Sequence, residues 1–123
     1  MSDLELQFKN YALACFKSIF RGYYNVYIGF TTDDNTHTSR DKLGKFRVRI
    51  NVQQLIEYYT KPEVFKASRP HRREMEPGNH PAQFMRLVML HERFHIHNWD
   101  LSVHGEEYVI EKEADEYARR YLC

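Results

Sequence analysis

The segment His91-Glu92-Arg93-Phe94-His95 constrains this chain more than any other feature of its sequence. It places two histidines four residues apart, with a glutamate directly after the first, in the pattern H-E-x-x-H. On a helix, residues four apart share one face, with about 5–6 Å between their Cβ atoms. Two imidazoles at this spacing reach one tetrahedral Zn²⁺, and the glutamate can meet a water at the same ion. The pattern therefore predicts a metal site suited to hydrolysis, most often of a peptide bond.

The flanking residues predict that this motif lies on a buried helix. The segment Asn79-His80-Pro81 offers an asparagine cap and an early proline, and both are typical of helix starts. From Phe84 to Ile96 the helix is apolar on nearly every side, as expected for a helix enclosed by its domain. Burying His91, Glu92 and His95 without partners is costly, so these side chains need a metal or a hydrogen-bond network.

A third metal ligand is expected on the last predicted helix, which runs from about residue 106 to residue 122. The i, i+3, i+4 rule defines one inward stripe on this helix, made of Tyr108, Glu111, Ala114, Asp115, Ala118 and Leu122. We predict that Glu111 is the third ligand and that Asp115 accepts the second N–H of a ligand imidazole. Alternative third ligands are His104, Asp100 and Glu113, although helical phase turns Glu113 outward. Asp115 has an alternative role as the partner of an arginine.

The rest of the chain predicts an α+β fold in a single domain covering residues 1–123. The clearest strand alternates Phe46, Val48, Ile50 and Val52 with polar residues. It should lie beside an earlier strand, and the intervening loop favours antiparallel pairing. The remaining predicted elements are a helix over 3–20, a strand over 24–30, a loop over 33–44, a short helix over 53–60 and a mostly irregular basic loop over 62–77.

Composition favours a globular protein that acts in the cytoplasm. The chain has 123 residues, of which 42% are hydrophobic, and this is enough for one domain with a core. No apolar run approaches the roughly 20 residues that span a bilayer, so we expect no membrane association. Acidic residues near the N-terminus argue against a signal peptide. The two cysteines, Cys15 and Cys123, predict no disulfide framework.

Charge is distributed unevenly along the chain. Residues 40–73 carry ten Lys and Arg against three acids, whereas residues 92–123 carry four Lys and Arg against eight acids. A basic segment can bind nucleic acid or an acidic partner. No nucleic-acid motif accompanies this one, so we expect a solvated basic face and a protein substrate instead of nucleic acid.

Taken together, the two motifs resemble those of the glutamate-ligand zinc metallopeptidases, or gluzincins. The second motif is Glu111-Lys112-Glu113-Ala114-Asp115, followed by Glu116, Tyr117 and Ala118. The small size, the upstream strand over 46–51 and the short gap between motifs are most similar to the ImmA/IrrE family. Members are cytosolic metallopeptidase domains that cleave repressor-type regulators. The resemblance covers residues 79–123, and Arg93-Phe94 stands where many members have Leu-Gly.

This resemblance implies a small zincin-like fold that binds Zn²⁺. It implies that His91, His95 and Glu111 are the zinc ligands and that Glu92 is the general base of a peptidase. A further donor to the oxyanion of the tetrahedral intermediate is expected. The candidates for this donor are His97, His104, Tyr108 and Tyr117.

Two further questions stay open at the level of the sequence. The strand over 45–52 either holds an extended substrate, if it is an edge strand, or only supports the core. The alternative function is a zinc-containing binding module that contacts a regulator or nucleic acid without turnover.

Overall fold

A computed structural model describes residues 2–122 and shows an α+β fold with six α-helices and one mixed three-stranded sheet in that range. In chain order the elements are α1 (Asp3–Ile19), β1 (Val26–Phe30), β2 (His37–Arg40), β3 (Phe46–Ile50), α2 (Val52–Thr60), α3 (Pro62–Ala67), a 3₁₀ helix (Pro70–Glu74), α4 (Pro81–His97), α5 (Trp99–His104) and α6 (Glu107–Arg120). Cys123, for which the sequence predicts no disulfide, lies outside the described residues.

Helix α4 is the centre of the protein. It packs against α1 on one side and α6 on another, and it also contacts α2, α5 and β2. Its buried side chains are Phe84, Met85, Leu87, Met89, Leu90, His91, Glu92 and Phe94. The prediction of an enclosed helix is therefore confirmed. The cap differs from the prediction, because the side chain of His80, and not that of Asn79, accepts the N–H of Ala82.

The sheet order is β1-β3-β2, so β3 is the central strand. The prediction that β1 and β3 are neighbours is confirmed, but the prediction that they are antiparallel is wrong, since they pair in parallel. The reason lies in the segment 33–44, which was predicted to be only a loop. It contains β2, which forms an antiparallel hairpin with β3 through a turn at Asp41–Lys45. Gly44 takes a φ of +82° in this turn, a conformation that favours glycine.

The hairpin leaves only the other edge of β3 for β1. Phe46, Val48 and Ile50 face the core as predicted, while Arg47 and Arg49 point to the opposite face of the sheet. Because β3 has strands on both sides, it cannot accept an added substrate strand. Of the two roles that the sequence allowed for this strand, substrate binding and support of the core, the structure fits the second.

The segment 62–77 is also more ordered than predicted. Pro62 and Pro70 each occupy a first-turn position, in α3 and in the 3₁₀ helix respectively. Proline is tolerated there because the first N–H groups of a helix have no intrahelical acceptor. These two short helices bring residues 68–72 against α6. The short helix α5 was likewise not predicted, and it begins directly after α4.

The helices of this fold are modest in length and hydropathy. Within residues 2–122, none combines the length and the apolar content that crossing a bilayer requires.

Gly105 is the tightest position in the connection between α5 and α6. A Cβ placed there would lie 2.5 Å from the carbonyl oxygen of Leu101 and 3.0 Å from Cδ1 of Ile110. We expect Gly105→Ala to lower the free energy of unfolding by about 1–3 kcal/mol, because a backbone atom cannot move aside as a flexible side chain can. Urea denaturation measures this loss.

Gly29→Ala is the matched control, since the nearest atom to its added Cβ would be a side-chain carbon of Arg47 at 3.7 Å. This variant should unfold at nearly the wild-type urea concentration. Equal losses in the two variants would contradict the steric explanation for Gly105.

Candidate metal centre

Three side chains from α4 and α6 converge on one point. His91 and His95 lie one turn apart on α4, and their Nε2 atoms are 3.1 Å from each other. Glu111 of α6 faces both rings, with Oε2 3.0 Å from Nε2 of His91 and Oε1 3.3 Å from Nε2 of His95. The buried stripe of α6 includes Ala114 and Ala118, whose small side chains allow the close approach of the two helices.

These separations fit a tetrahedral metal ion. Two ligand atoms that each lie about 2.0–2.1 Å from one tetrahedral Zn²⁺ are roughly 3.3 Å apart. The two imidazole nitrogens are 3.1 Å apart, close to that value, while one carboxylate oxygen of Glu111 lies 3.0 Å from Nε2 of His91 and the other lies 3.3 Å from Nε2 of His95. Among residues 2–122, His91, His95 and Glu111 form the group of side chains able to hold a metal ion. Two imidazoles and a carboxylate are ligands that suit zinc, although other divalent ions accept the same set.

Asp115 sets the orientation of the first imidazole. Its Oδ1 is 2.6 Å from Nδ1 of His91, and both side chains are buried. Because a carboxylate only accepts hydrogen bonds, Nδ1 of His91 carries the proton. Once Nε2 has lost its own proton, its lone pair faces Glu111 and His95, as a metal ligand requires.

Asp115 is also the partner of an arginine, so both of its predicted roles occur together. Arg72 donates from Nε to Oδ2 at 2.7 Å, and Nη2 lies 3.3 Å from Oδ1. His71 adds a further contact, with Nε2 2.5 Å from Oδ2. The carboxylate is therefore surrounded by three nitrogen-bearing side chains. Sequence reasoning missed His71 and Arg72, because they belong to a segment that was interpreted as a solvated loop.

Ser102 has the corresponding role for the second imidazole. Its Oγ lies 3.0 Å from Nδ1 of His95. Ser102 belongs to α5, the helix that the sequence did not predict, and no periodic pattern points to it. The two imidazoles therefore have different supports, an anion for His91 and a neutral hydroxyl for His95.

Glu92, the predicted general base, is buried and lies beside His91. Its Oε2 is 3.9 Å from Nε2 of His91, while Oε1 accepts a hydrogen bond of 2.9 Å from the hydroxyl of Thr38. Thr38 lies on β2 and was also missed, because a short polar strand carries no hydrophobic alternation. This hydrogen bond fixes the carboxylate against the edge of the sheet.

A cavity of about 690 Å³ opens beside these residues and is lined by His91, Glu92, His95 and Glu111. Its other walls come from residues 35–38 next to and within β2, from Tyr58 of α2, from Arg69, and from Trp99 and Val103 of α5. This volume is in the range of ligand-binding sites.

The predicted oxyanion donors do not line this cavity. His97 and His104 are exposed, and Tyr108 is 47% exposed. The hydroxyl of Tyr117 accepts a hydrogen bond from Arg93, and its ring packs against Phe94. Two of the alternative third ligands, Asp100 and Glu113, are likewise exposed.

The electrostatics of the metal-free cluster favour charge separation between acids and imidazoles. Burial disfavours the charged form of His91, but hydrogen bonds to Asp115 and Glu111 outweigh it and raise the pKa of His91 to about 10. Burial alone would raise the pKa of Glu111 and of Asp115. The facing imidazoles, together with Arg72 beside Asp115, instead hold both carboxyl pKa values well below their ordinary range.

Comparisons with protein-family models, with curated proteins and with solved structures give no match to this chain.

Replacing the carboxylate ligand should weaken metal binding selectively. We expect Glu111→Gln to lower zinc affinity by about 100-fold or more, since even outer-shell partners of a metal ligand are typically worth 10–100-fold. The exposed Glu113→Gln on the same helix is the control and should keep wild-type affinity. Competition with a chromophoric chelator measures both constants. Equal affinity in the two variants would exclude Glu111 as a ligand.

Zinc binding should also release protons. His91 has a pKa of about 10 in the metal-free cluster, so at neutral pH it must lose a proton before it can bind the ion. We expect about one proton released per zinc from this residue near pH 7, and an apparent affinity that rises with pH up to the pKa of His91. Calorimetry in buffers of different ionisation enthalpy counts these protons. An affinity that stays constant between about pH 7 and pH 9 would contradict this coupling.

Proposed function

We propose that this protein is a zinc-dependent peptidase with a zincin-like site. The observation that carries this proposal is the convergence of His91, His95 and Glu111 at 3.0–3.3 Å, with the carboxylate of Glu92 beside them. Three protein ligands leave one position of a tetrahedral ion for a water or a substrate, as in catalytic zinc sites. A purely structural zinc site has four protein ligands instead.

A bound Zn²⁺ would supply a Lewis acid that makes water more acidic and a carbonyl more electrophilic. The residues of this chain contribute the remaining steps. The oxygen of the water attacks the carbonyl carbon of the scissile peptide, and Glu92 accepts the proton that this oxygen loses. Glu92 then delivers the same proton to the nitrogen of the departing amine. The hydroxyl of Thr38 holds one carboxylate oxygen of Glu92, so the other can serve as the base.

The second support is the edge strand β2. It pairs with β3 along one side only, and residues 35–38 line the cavity next to Glu92. An extended peptide can add to such an edge through backbone hydrogen bonds, which would place its backbone across the site. We therefore propose that β2, in place of the central strand over 45–52, receives the substrate.

The substrate class that we propose is a specific protein. The resemblance of the two motifs to the ImmA/IrrE family favours a repressor-type regulator in the cytoplasm. The cavity accommodates a few side chains of an extended segment, and β2 is only four residues long. Both features favour recognition of a short unfolded or exposed segment.

Glu92→Gln tests this function directly. The variant should retain zinc, because Glu92 is not a ligand, and should lose about 10²–10⁴-fold in cleavage rate, as expected for removal of a general base. Mass spectrometry of a proteome-derived peptide library, incubated with the zinc-loaded proteins, measures the products. Comparing new peptide ends in cells that express wild type or Glu92→Gln then identifies the natural substrate.

The exposed Glu113→Gln serves as the control and should cleave at the wild-type rate. The peptidase proposal would be wrong if the wild type binds zinc but cleaves nothing, and if wild type and Glu92→Gln bind a regulator equally well. The protein would then be a zinc-containing binding module.

A further inference from the structure

Arg69 is a positively charged side chain beside the candidate metal ligand Glu111, and none of the roles above uses it. It directly precedes the 3₁₀ helix and lines the cavity. Its Nη1 donates to Oε1 of Glu107 at 2.7 Å, and its Nη2 lies 4.0 Å from Oε2 of Glu111. The guanidinium is therefore adjacent to the carboxylate that contacts both imidazoles.

The hydrogen-bonding capacity of this guanidinium is only partly used. The contact between Nη2 and Glu111 is too long for a hydrogen bond, and Glu107 is the hydrogen-bond partner of Arg69 among residues 2–122. The Glu107 side chain is 77% exposed, so this ion pair is weak and easily exchanged for another anion. Arginine keeps its charge at all relevant pH values. Arg69 thus offers a permanent cation with N–H groups available to a ligand in the cavity.

Three of the other polar side chains that line the cavity already have partners within the site. Arg72 binds Asp115 through two nitrogens and Ser68 through the third. Ser102 contacts His95, and Thr38 contacts Glu92. Arg69 and the general base also come from different walls of the cavity, since Glu92 is held by β2 whereas Arg69 is held by α6. A substrate carbonyl placed beside the metal ligands would therefore have Glu92 on one side and the guanidinium of Arg69 on another.

We propose that Arg69 is a catalytic residue that donates a hydrogen bond to the oxyanion of the substrate. This role rests on the proposed peptidase function. It would be the oxyanion donor for which the sequence suggested His97, His104, Tyr108 or Tyr117. When the water oxygen bonds to the carbonyl carbon, the π electron pair of the C=O bond moves onto the carbonyl oxygen. A proton of the water passes to Glu92 at the same time. The new negative charge on the carbonyl oxygen is then stabilised by the guanidinium of Arg69. When the C–N bond breaks, the electron pair on the oxyanion re-forms the C=O bond, and the C–N pair stays on the amine nitrogen, which takes the proton from Glu92. The hydrogen bond from Arg69 to the oxyanion is then lost.

Two small probes test this role without any peptide substrate. Inorganic phosphate resembles the tetrahedral oxyanion, whereas imidazole is a neutral ligand for an open metal position. In the zinc-loaded protein we expect Arg69→Met to weaken phosphate binding at least tenfold and to leave imidazole binding unchanged. Isothermal titration calorimetry measures both affinities. Thermal unfolding and zinc content establish that the variant is folded and loaded.

Arg73→Met is the matched control, because Arg73 is exposed and belongs to the adjoining 3₁₀ helix but does not line the cavity. It removes the same charge and should bind phosphate as the wild type does. If phosphate does not bind the zinc-loaded wild type, or binds Arg69→Met equally well, the oxyanion role of Arg69 is overturned. If both arginine variants lose phosphate affinity equally, the attraction is due to overall charge and the role is also overturned.

Kinetics separate this inference from the proposed function. Where the wild type cleaves peptides, Arg69→Met should lower kcat by about 10²–10³-fold with a small change in KM, the signature of a lost oxyanion donor. Unchanged kcat would overturn the role of Arg69 and leave the peptidase proposal intact. A wild type that binds no zinc would overturn both.

Discussion

The contact between α4 and α6 is the interaction on which the rest of this structure depends. It buries two carboxylates, Glu111 and Asp115, against two imidazoles. Buried charges are tolerated only when they are paired, because desolvation costs several kcal/mol per ion. Asp115 is compensated by Arg72 and by the N–H of His91, whereas Glu111 faces the Nε2 atoms of both rings. In the absence of metal a protonated His91 balances this charge, and a divalent ion at the same point would replace the proton.

Three polar side chains of the cluster, Glu92, His95 and Asp115, are each supported by a different part of the chain. The hairpin strand β2 holds Glu92 through Thr38, α5 holds His95 through Ser102, and the segment before α4 holds Asp115 through Arg72. Such outer partners limit the rotamers of the residues they contact, which keeps the geometry of the cluster in place before a ligand binds. The same short elements also line the cavity, so a small protein can have a cavity beside buried polar groups.

The connectivity of the mixed sheet places an edge strand beside Glu92. Because the hairpin pairs β2 with one side of β3, and β1 takes the other side, β2 becomes an edge strand next to Glu92. The sequence suggested only that β1 and β3 pair antiparallel, and this pairing does not identify β2 as an edge strand. The proposals for substrate binding along β2 and for oxyanion stabilisation by Arg69 both arise from segments that sequence reasoning interpreted as loops. The motif residues alone account for the candidate metal site and for the proposed base, but they suggest neither β2 as a substrate-binding strand nor Arg69 as an oxyanion donor.

The sequence by itself determined the parts of the protein that depend on local helical geometry. The spacing of His91 and His95, the buried character of α4 and the inward phase of Glu111 and Asp115 all follow from a period of 3.6 residues, which neighbouring elements hardly alter. Only the tertiary structure decided the strand order, the existence of β2 and the contacts of Arg69 and Arg72. A polar four-residue strand is stabilised by backbone hydrogen bonds to a distant segment, and ion pairs between residues about 40 positions apart depend on how the chain folds back. Such long-range pairings leave no periodic signal in the residues themselves.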